Sequence, residues 1–283
     1  MKVPPPSFPH PMKSRQAMKK KIIFWLLTFF VMNVFGHEFW IQPNKFMYKR
    51  GETINIKFLV GQNFKGENWN GSKEKVKSLN LFFDDVSDKN LDDNLSMIKG
   101  DSLQIAMLDE GTTMVTLNTK NSFIDLEATK FNDYLQEDGL TEALEYRQKN
   151  GDTLKNGTEY YQRSVKTIFQ VGKKMSTAYK QKTDLPVDII PSDNPYNVAK
   201  DGNFKVKVFF QGEKLKNAMV RVWHKLDDKV TEKDYTTDDD GEIKFFLATG
   251  GEWMVSCVKM VKLENDPKAD WQSYWGSLTW GYY

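Results

Sequence analysis

Cysteine and histidine are both scarce in this chain of 283 residues, which contains one cysteine and three histidines. A single cysteine, Cys257, leaves no possible disulfide within the chain, so a disulfide-stapled scaffold is excluded. The histidines are His10, His37 and His224, too few for a metal centre made only of several imidazoles. Stability has to come from a hydrophobic core, and a chain of this length can bury one.

Catalytic signatures are also missing. The sequence has no Gly-rich phosphate loop, no Ser-His-Asp order and no pair of acids that stands out. Glu142 and Glu145 fall on one face of a predicted helix, where a solvated surface explains them. We therefore expect a protein that is not an enzyme.

Long hydrophobic runs are absent, and the one uncharged run near the start is short. It covers residues 22–35, which is 14 residues, whereas a membrane-spanning helix needs about 20. Six basic residues and no acidic residue precede it. This order is typical of a cleaved secretory signal peptide, and a permanent anchor is the weaker alternative. Val34 and Gly36 fit the residues expected before the cut, so the signal peptide is predicted to cover residues 1–36.

Cleavage after Gly36 changes the charge balance of the chain. It removes six of the 40 basic residues and none of the 38 acidic ones, and leaves 247 residues with a net charge of −4. No basic excess remains to bind nucleic acid. The remaining length suits one large or two ordinary domains, and the export signal predicts a periplasmic location.

Alternation of apolar and polar residues predicts β-strands in two stretches, residues 37–122 and residues 185–283. ETINIKFLVG in the first and FKVKVFFQG in the second are clear examples. Short strands at this spacing are typical of antiparallel sandwiches. Each stretch is therefore predicted to form one β-sandwich domain.

Residues 123–172 have a different pattern, with few β-branched residues in their first part. Four apolar residues share one helical face there: Leu126, Phe131, Tyr134 and Leu135. The segment GTEYYQRSVKTIFQVG at the end of this stretch is predicted to begin as helix and to finish extended. Residues 173–184 are polar and predict a linker. The expected fold is mainly β, with two sandwiches and a helical insertion between them.

His37 becomes the first residue of the mature protein if cleavage follows Gly36. Its α-amine titrates at about pKa 8 and its ring at about 6.5. Both groups lose a proton readily near neutral pH, as metal ligation requires, and together they can chelate one ion. The alternative is that cleavage has to expose some residue, and that the histidine is there by accident.

Eight segments of the predicted mature chain recur in one known family. They are GHEFWIQP, GETINIKFLVGQNFKGE, FNDYLQEDGL, EYYQRSVKTIFQVG, FFQGEKLKNAMVRV, TDDDGEIKF, GEWMVSCVKM and DWQSYWGSLT. Over about residues 37–280 the chain resembles a bacterial exported family of unknown function that is grouped with the nickel-uptake substrate-specific (NikM-like) region. The resemblance implies an Ig-like or transthyretin-like β protein associated with metal transport.

The same resemblance favours a metal role for the new terminus. Members of that family begin the mature chain with histidine, an acid and two aromatic or apolar residues, as His37, Glu38, Phe39 and Trp40 do. The expected metal is divalent Ni or Cu.

The second ligand is open. His224 is the only other histidine of the mature chain, and it is the predicted partner of His37. Its alternative role is a hydrogen-bonded histidine at the edge of the core. Cys257 would suit Cu(I), or it is a buried apolar residue.

Three functions follow from these observations. The first is a periplasmic accessory protein that captures Cu(II) or Ni(II) for a membrane transporter. The second is a module without metal that holds a protein or glycan on exposed aromatic side chains: Trp69, Trp271, Trp275 and Trp280. The third is a copper oxygenase with a histidine brace. It ranks last because it needs His37 and His224 to meet in space.

We predict that the exported protein starts at His37, because the uncharged run and its small residues end at Gly36. N-terminal sequencing or the intact mass of exported protein checks this. A start more than about two residues away would end the chelate argument.

Overall fold

The computed structural model describes Met1, Val3 and residues 38–83, 86–96, 101–107, 109–198 and 202–283. The predicted signal peptide, apart from Met1 and Val3, and His37 lie outside the described residues. All elements named below belong to the unit Val34–Tyr283.

The described residues form strands and helices in the following order. The strands are β1 (Glu38–Pro43), β2 (Met47–Tyr48), β3 (Thr53–Gln62), β4 (Lys65–Asn68), β5 (Val76–Phe83), β6 (Val86–Asn90), β7 (Ser102–Ala106), β8 (Gly111–Thr119), β9 (Ser122–Leu126), β10 (Gly157–Val171), β11 (Val187–Pro191), β12 (Gly202–Phe210), β13 (Glu213–Lys214), β14 (Met219–Leu226), β15 (Lys229–Thr236), β16 (Glu242–Leu247), β17 (Glu252–Lys262) and β18 (Trp271–Gly281). The α-helices are α1 (Ala128–Glu137) and α2 (Thr141–Lys149), and short 3-10 helices cover Lys73–Lys75, Asp92–Asn94, Ala178–Lys180 and Pro195–Asn197.

One large sheet contains ten of these strands. Its order is β15-β14-β17-β18-β10-β8-β5-β6, and β2 and β9 pair with further parts of β10. Neighbouring strands are antiparallel except along β10, which runs parallel to β18 and to β2. Two smaller sheets contain four strands each: β1, β3, β4 and β7 form one, and β11, β12, β13 and β16 form the other.

The two small sheets pack on opposite faces of the large sheet. Successive side chains of a strand point to opposite faces. On β10, Val165 and Phe169 join the core that contains Phe58 of β3, whereas Ile168 joins the core that contains Val206 of β12. The architecture is therefore sandwich-like and mainly β, as the sequence predicts.

Local patterns explain the strands that are covered on one side. Ile54, Ile56 and Phe58 of β3 are fully buried, and the residues between them are exposed. This is the alternation expected of a strand with one apolar face. It confirms the strand predicted for this segment.

The predicted helical insertion at residues 123–172 is wrong in its second half. Helix covers only α1 and α2, and the segment GTEYYQRSVKTIFQV is one continuous strand, β10. Both faces of this strand are covered along most of its length, so its sequence lacks the two-residue alternation that marks a half-exposed strand. Its Thr, Val and Ile residues have high strand propensity, which is the feature of the sequence that favours a strand here.

The large sheet combines strands from both predicted sandwiches. β5, β6 and β8 come from residues 37–122, and β14, β15, β17 and β18 come from residues 185–283. β10 joins the two groups. The domain boundaries at 122/123, 172/173 and 184/185 stay predictions. In the described ranges, none of the helices has the length and apolar character needed to span a bilayer.

A buried ion pair ties the second small sheet to the middle of the large one. Lys166 of β10 contacts Asp188 of β11, and the side chains are 1% and 6% exposed. The Lys166 Nζ also donates to the Ile189 carbonyl oxygen at 3.3 Å, and Asp188 Oδ2 accepts from the Thr183 amide at 2.9 Å. Removing one member of such a pair leaves an uncompensated charge in the core.

We predict that Lys166→Met lowers the free energy of unfolding by about 3–5 kcal/mol, because Asp188 is then left buried without its cation. Urea denaturation followed by tryptophan fluorescence measures this. The control is Lys205→Met, which removes a partly exposed ion pair with Glu242 and should cost about 0–1 kcal/mol. Equal losses in the two variants would contradict the structural role of the buried pair.

Candidate functional site

The candidate site starts at the first described residue after the predicted cut. β1 pairs with β3 and also lies across the large sheet, where the Ser277 hydroxyl donates to the Phe39 carbonyl oxygen at 2.7 Å. The Thr279 hydroxyl donates to the Ile41 carbonyl oxygen at 2.9 Å. These hydrogen bonds hold the start of β1 against β18, so Glu38, the first residue of β1, is buried.

The Glu38 side chain points towards the large sheet and is only 6% exposed. Its Oε1 accepts a hydrogen bond from the Ser256 hydroxyl of β17 at 2.8 Å. Burial raises the pKa of Glu38 to about 7, against the opposing effects of the Ser256 hydrogen bond and the Arg221 charge. A carboxylate without a full counter-charge has this response to a low-dielectric environment.

The α1–α2 hairpin covers the neighbouring part of the same face. Phe131 and Leu135 of α1 pack with Met260 and Trp271 of the large sheet. Gly157 at the start of β10 allows this close approach, because a Cβ there would lie 2.0 Å from the Phe131 ring. The covers formed by β1 and by the hairpin therefore share one face of the large sheet.

Asp138 lies at the end of α1, on the side of the hairpin that faces β14. Gly139 follows with a φ of +65°, and a Cβ there would lie 2.6 Å from the Met219 Cβ of β14. Only glycine fits this turn without strain. Asp138 is 6% exposed, and its Oδ2 has no hydrogen-bond partner. Burial raises the pKa of Asp138 well above its usual value, and the nearby charge of Glu38 adds to the effect.

Glu159 of β10 is the third buried acid and is 3% exposed. The Ser273 hydroxyl donates to its Oε1 at 3.1 Å, while its Oε2 has no partner of normal geometry. Burial raises the pKa of Glu159 to about 8.

Tyr134 completes the group on the hairpin side. Its ring stacks on Trp275 with centroids 5.6 Å apart, and Trp275 in turn donates to the Ser273 hydroxyl at 3.0 Å. The Tyr134 hydroxyl is buried and lies within hydrogen-bonding range of the Glu159 carboxyl group. We call Glu38, Tyr134, Asp138 and Glu159 the buried acid cluster.

The nearby cations are already engaged. The Arg221 guanidinium binds Asp234 through Nε at 2.7 Å and also donates to the Glu137 carbonyl oxygen at 3.1 Å. Arg163 lies over the rings of Phe39 and Tyr161, 4.6 Å and 5.3 Å from their centroids. The described residues give none of the three acids an ion-pair partner. A cation entering the cluster would therefore allow carboxylates to ionise.

Within the described ranges, no group of three or more His, Cys, Asp and Glu side chains is close enough together to hold a metal ion.

His224 lies at the edge of the core that contains Trp253. Its ring stacks on Trp253 with centroids 4.0 Å apart, and its Nε2 is 3.0 Å from the Gly250 carbonyl oxygen. Along β14, side chains alternate between faces, and Trp223 packs with Trp40 of β1 while His224 points the other way. The sheet therefore separates His224 from Glu38. Its pairing with His37, which lies outside the described residues, stays a prediction.

Other residues singled out in the sequence belong to the core. Cys257 is 3% exposed, and burial raises the pKa of its thiol to about 12, so the reading as a buried apolar residue fits. Trp69, Trp271 and Trp280 are buried, and Trp275 is half-buried under Tyr134. A glycan- or protein-binding module was expected to expose these four aromatic side chains. That prediction of exposure is wrong.

Sequence reasoning missed the buried acids. The sequence does not single out Asp138, and Glu159 lies in a segment that is predicted to begin as helix. A single acid in a polar segment carries no local sign of burial, since its burial depends on which elements cover it. The adjacency of Glu38 to the predicted cut was the one signal that pointed here.

Comparison with family models decides the classification. The model described as "Domain of unknown function (DUF4198)" matches residues 34–260. The chain belongs to this family. The grouping of the family with nickel uptake stays an expectation. Curated proteins give no match to the chain.

Solved structures give only distant likenesses. The D0-D1 domain of intimin has 11% identity and a TM-score of 0.21, over 85% of this chain and 97% of that one. A DUF4785 family protein from Legionella pneumophila has 11% identity and a TM-score of 0.24, over 77% and 51%. Escherichia coli alpha-2-macroglobulin has 10% identity and a TM-score of 0.22, over 87% and 20%. At these scores the likenesses carry no argument.

We predict that stability falls as the pH rises through the range set by Glu159. Its pKa is raised from 4.5 to about 8 in the folded protein, so between these values the native state keeps a proton that the unfolded chain releases. The free energy of unfolding then falls with rising pH, by at most about 1.4 kcal/mol per pH unit for one group. Glu159→Gln should remove this part of the slope.

Urea denaturation at a series of pH values checks this prediction. The matched control is Glu145→Gln on the exposed face of α2, which should keep the slope of the parent protein. Parallel curves for the parent and Glu159→Gln would mean that Glu159 is ionised in the native state.

Proposed function

We propose that this protein is an exported, periplasmic metal-binding accessory protein and not an enzyme. In this proposal His37, as the mature N-terminus, captures Cu(II) or Ni(II) for a membrane transport system. The observation that carries it is the position of Glu38, which is buried and close enough for its charge to raise the pKa of the buried Asp138. His37 is bonded directly to Glu38, so the predicted new terminus is formed next to a buried group of acids.

The chemistry of the available donors fits a divalent transition metal. Consecutive Cα atoms are about 3.8 Å apart, so the His37 amine and ring are within reach of the space around Glu38. Amine and imidazole nitrogens with a carboxylate oxygen are donors that Cu(II) and Ni(II) accept. A carboxylate of the buried acid cluster is the third donor that this arrangement favours.

His224 is the weaker choice for that third position. The large sheet separates its ring from Glu38, and its Nε2 is engaged by the Gly250 carbonyl oxygen. A histidine brace formed by His37 and His224 has the same difficulty, which supports ranking the oxygenase last. The buried tryptophans remove the main support for a glycan- or protein-binding module.

We also infer that each small sheet, with the half of the large sheet beneath it, forms one Ig-like or transthyretin-like sandwich. The separate cores around Phe58 and Val206 support this division. The two sandwiches would then share a sheet through the β10–β18 pair.

We predict that adding one alanine before His37 weakens Cu(II) or Ni(II) binding by on the order of 100-fold. The ring survives in this variant, but the His37 amine becomes part of a peptide bond and the chelate is lost. His37→Ala should weaken binding at least as much. Calorimetric titration of each metal into the processed and extended proteins measures the effect.

His224→Ala is the matched control, because it removes an imidazole on the other face of the sheet. It should leave the affinity close to that of the processed protein. Equal metal affinities of the processed and the alanine-extended forms would contradict the proposal that the His37 amine binds metal.

A further inference from the structure

We propose that a cavity beside Arg147 binds the carboxylate group of a small organic anion. The cavity lies where the last turn of α2 and the loop after it meet the end of β17 and the start of β18. The proposal depends neither on cleavage of a signal peptide nor on metal binding, so it stands or falls apart from the proposed function.

The size and charge of the cavity favour a small anion. Its volume is about 110 Å³. An apolar cavity of about 150 Å³ can hold a benzene molecule, so this one has room for a group of a few heavy atoms. Three bases and two acids line it, which gives the lining a net charge of +1: Arg147, Lys155, Lys262, Asp152 and Asp270.

Both acids of the lining already have a basic partner. Asp152 Oδ1 lies 2.6 Å from the Lys155 Nζ, and Asp270 Oδ1 lies 3.5 Å from the Lys262 Nζ. The Asp270 Oδ2 also accepts a hydrogen bond from the Thr158 hydroxyl at 3.0 Å. In the part of the chain that the structure describes, Arg147 is therefore the base of this lining that has no carboxylate in ion-pair contact.

Arg147 is held in place by neutral groups. It is only 2% exposed, and its guanidinium carbon lies 4.9 Å from the centre of the Phe131 ring. Its Nε donates to the Asn132 Oδ1 at 2.9 Å, and its Nη2 donates to the Lys155 carbonyl oxygen. These contacts fix the side chain but supply no negative charge, although buried charges are normally paired.

The third nitrogen of Arg147, Nη1, carries two further N–H donors. Neither hydrogen bond above uses it, and it has no acceptor among the described residues. Because Arg147 lines the cavity, an anion there can accept from Nη1 while Nε and Nη2 keep their partners. A carboxylate oxygen would form a charge-assisted hydrogen bond, which is stronger than a neutral one.

Two aromatic rings beside the charged groups favour an organic anion over an inorganic one. Tyr146 and Trp271 line the same cavity and meet edge to face with centroids 5.5 Å apart. Trp271 is buried, whereas Tyr146 is 40% exposed, so the Tyr146 ring offers an apolar surface to the body of a ligand. A monocarboxylate also matches the net charge of +1, which a doubly charged phosphate would exceed.

The test uses benzoate as the probe, benzamide as its neutral counterpart and phosphate as an inorganic anion. Each is titrated at neutral pH into the ¹⁵N-labelled protein and followed by NMR. We expect benzoate to shift the Trp271 indole N–H and the Asp152 and Asn156 amides along one saturating curve. Benzamide should bind at least about 10-fold more weakly, because it lacks the charge that Arg147 recognises.

Arg147→Met tests the residue that the proposal depends on. It should weaken benzoate binding at least about 10-fold, because the buried charge and the Nη1 donors are lost. Lys149→Met is the matched control. It removes the same charge from an exposed position of the same helix, outside the lining of the cavity, and should leave the affinity unchanged.

A second variant covers the case in which Arg147→Met does not fold. Asp152→Asn keeps Arg147 and releases Lys155 from its ion pair, so the lining becomes more positive. We expect benzoate to bind at least about 3-fold more tightly, since opposite charges attract more strongly in a partly buried site. Glu145→Gln makes the same change of charge on the exposed face of α2 and should have no such effect.

The proposal would be overturned if the parent protein showed no saturable binding of benzoate, or bound benzamide equally well. Tighter binding of phosphate than of benzoate would overturn the assignment to an organic carboxylate. Equal benzoate affinities of the parent, Asp152→Asn and Glu145→Gln would show that the charge of the lining does not act on the ligand.

Discussion

The pairing of β10 with β18 sets the positions of both small sheets. β10 is buried on both faces along most of its length, so each face must be covered by something. One face carries Val165 and Phe169 into the core with β3, and the other carries Lys166 to Asp188 of β11. Because an unpaired lysine could not remain in that core, the second small sheet has to dock where Asp188 meets it.

The same constraint creates the site. On the β3 side of the large sheet, two separate covers are needed, since β1 reaches Ser277 and Thr279 while the α1–α2 hairpin packs on Met260 and Trp271. Two covers that meet on one sheet leave a seam between them. Glu38 lies on the first cover, Asp138 follows the end of α1 and Glu159 lies on β10, and all three side chains are buried.

The sequence reveals those parts of this arrangement that depend on local pattern. The alternation in β3 and the apolar stripe of α1 were readable because each element has one covered face. β10 was misread because burial on both faces removes the alternation. The acids were missed for a related reason: Asp138 and Glu159 are polar residues whose burial follows from tertiary docking alone. His37 could be singled out because a processing signal is itself local, but the face on which His224 lies could only be read from the sheet.

Burying the acids of this cluster lowers the stability of the folded protein. Asp138 Oδ2 is buried without a hydrogen-bond partner among the described residues, and one such group costs about 1–3 kcal/mol. A whole domain is stable by only about 5–15 kcal/mol. Burial also raises the pKa values of Glu38, Asp138 and Glu159, so the fold favours the protonated form of each acid. Glu38 and Glu159 each accept a hydrogen bond from a serine hydroxyl of the large sheet, which offsets part of their burial, whereas Asp138 Oδ2 has no such compensation among the described residues.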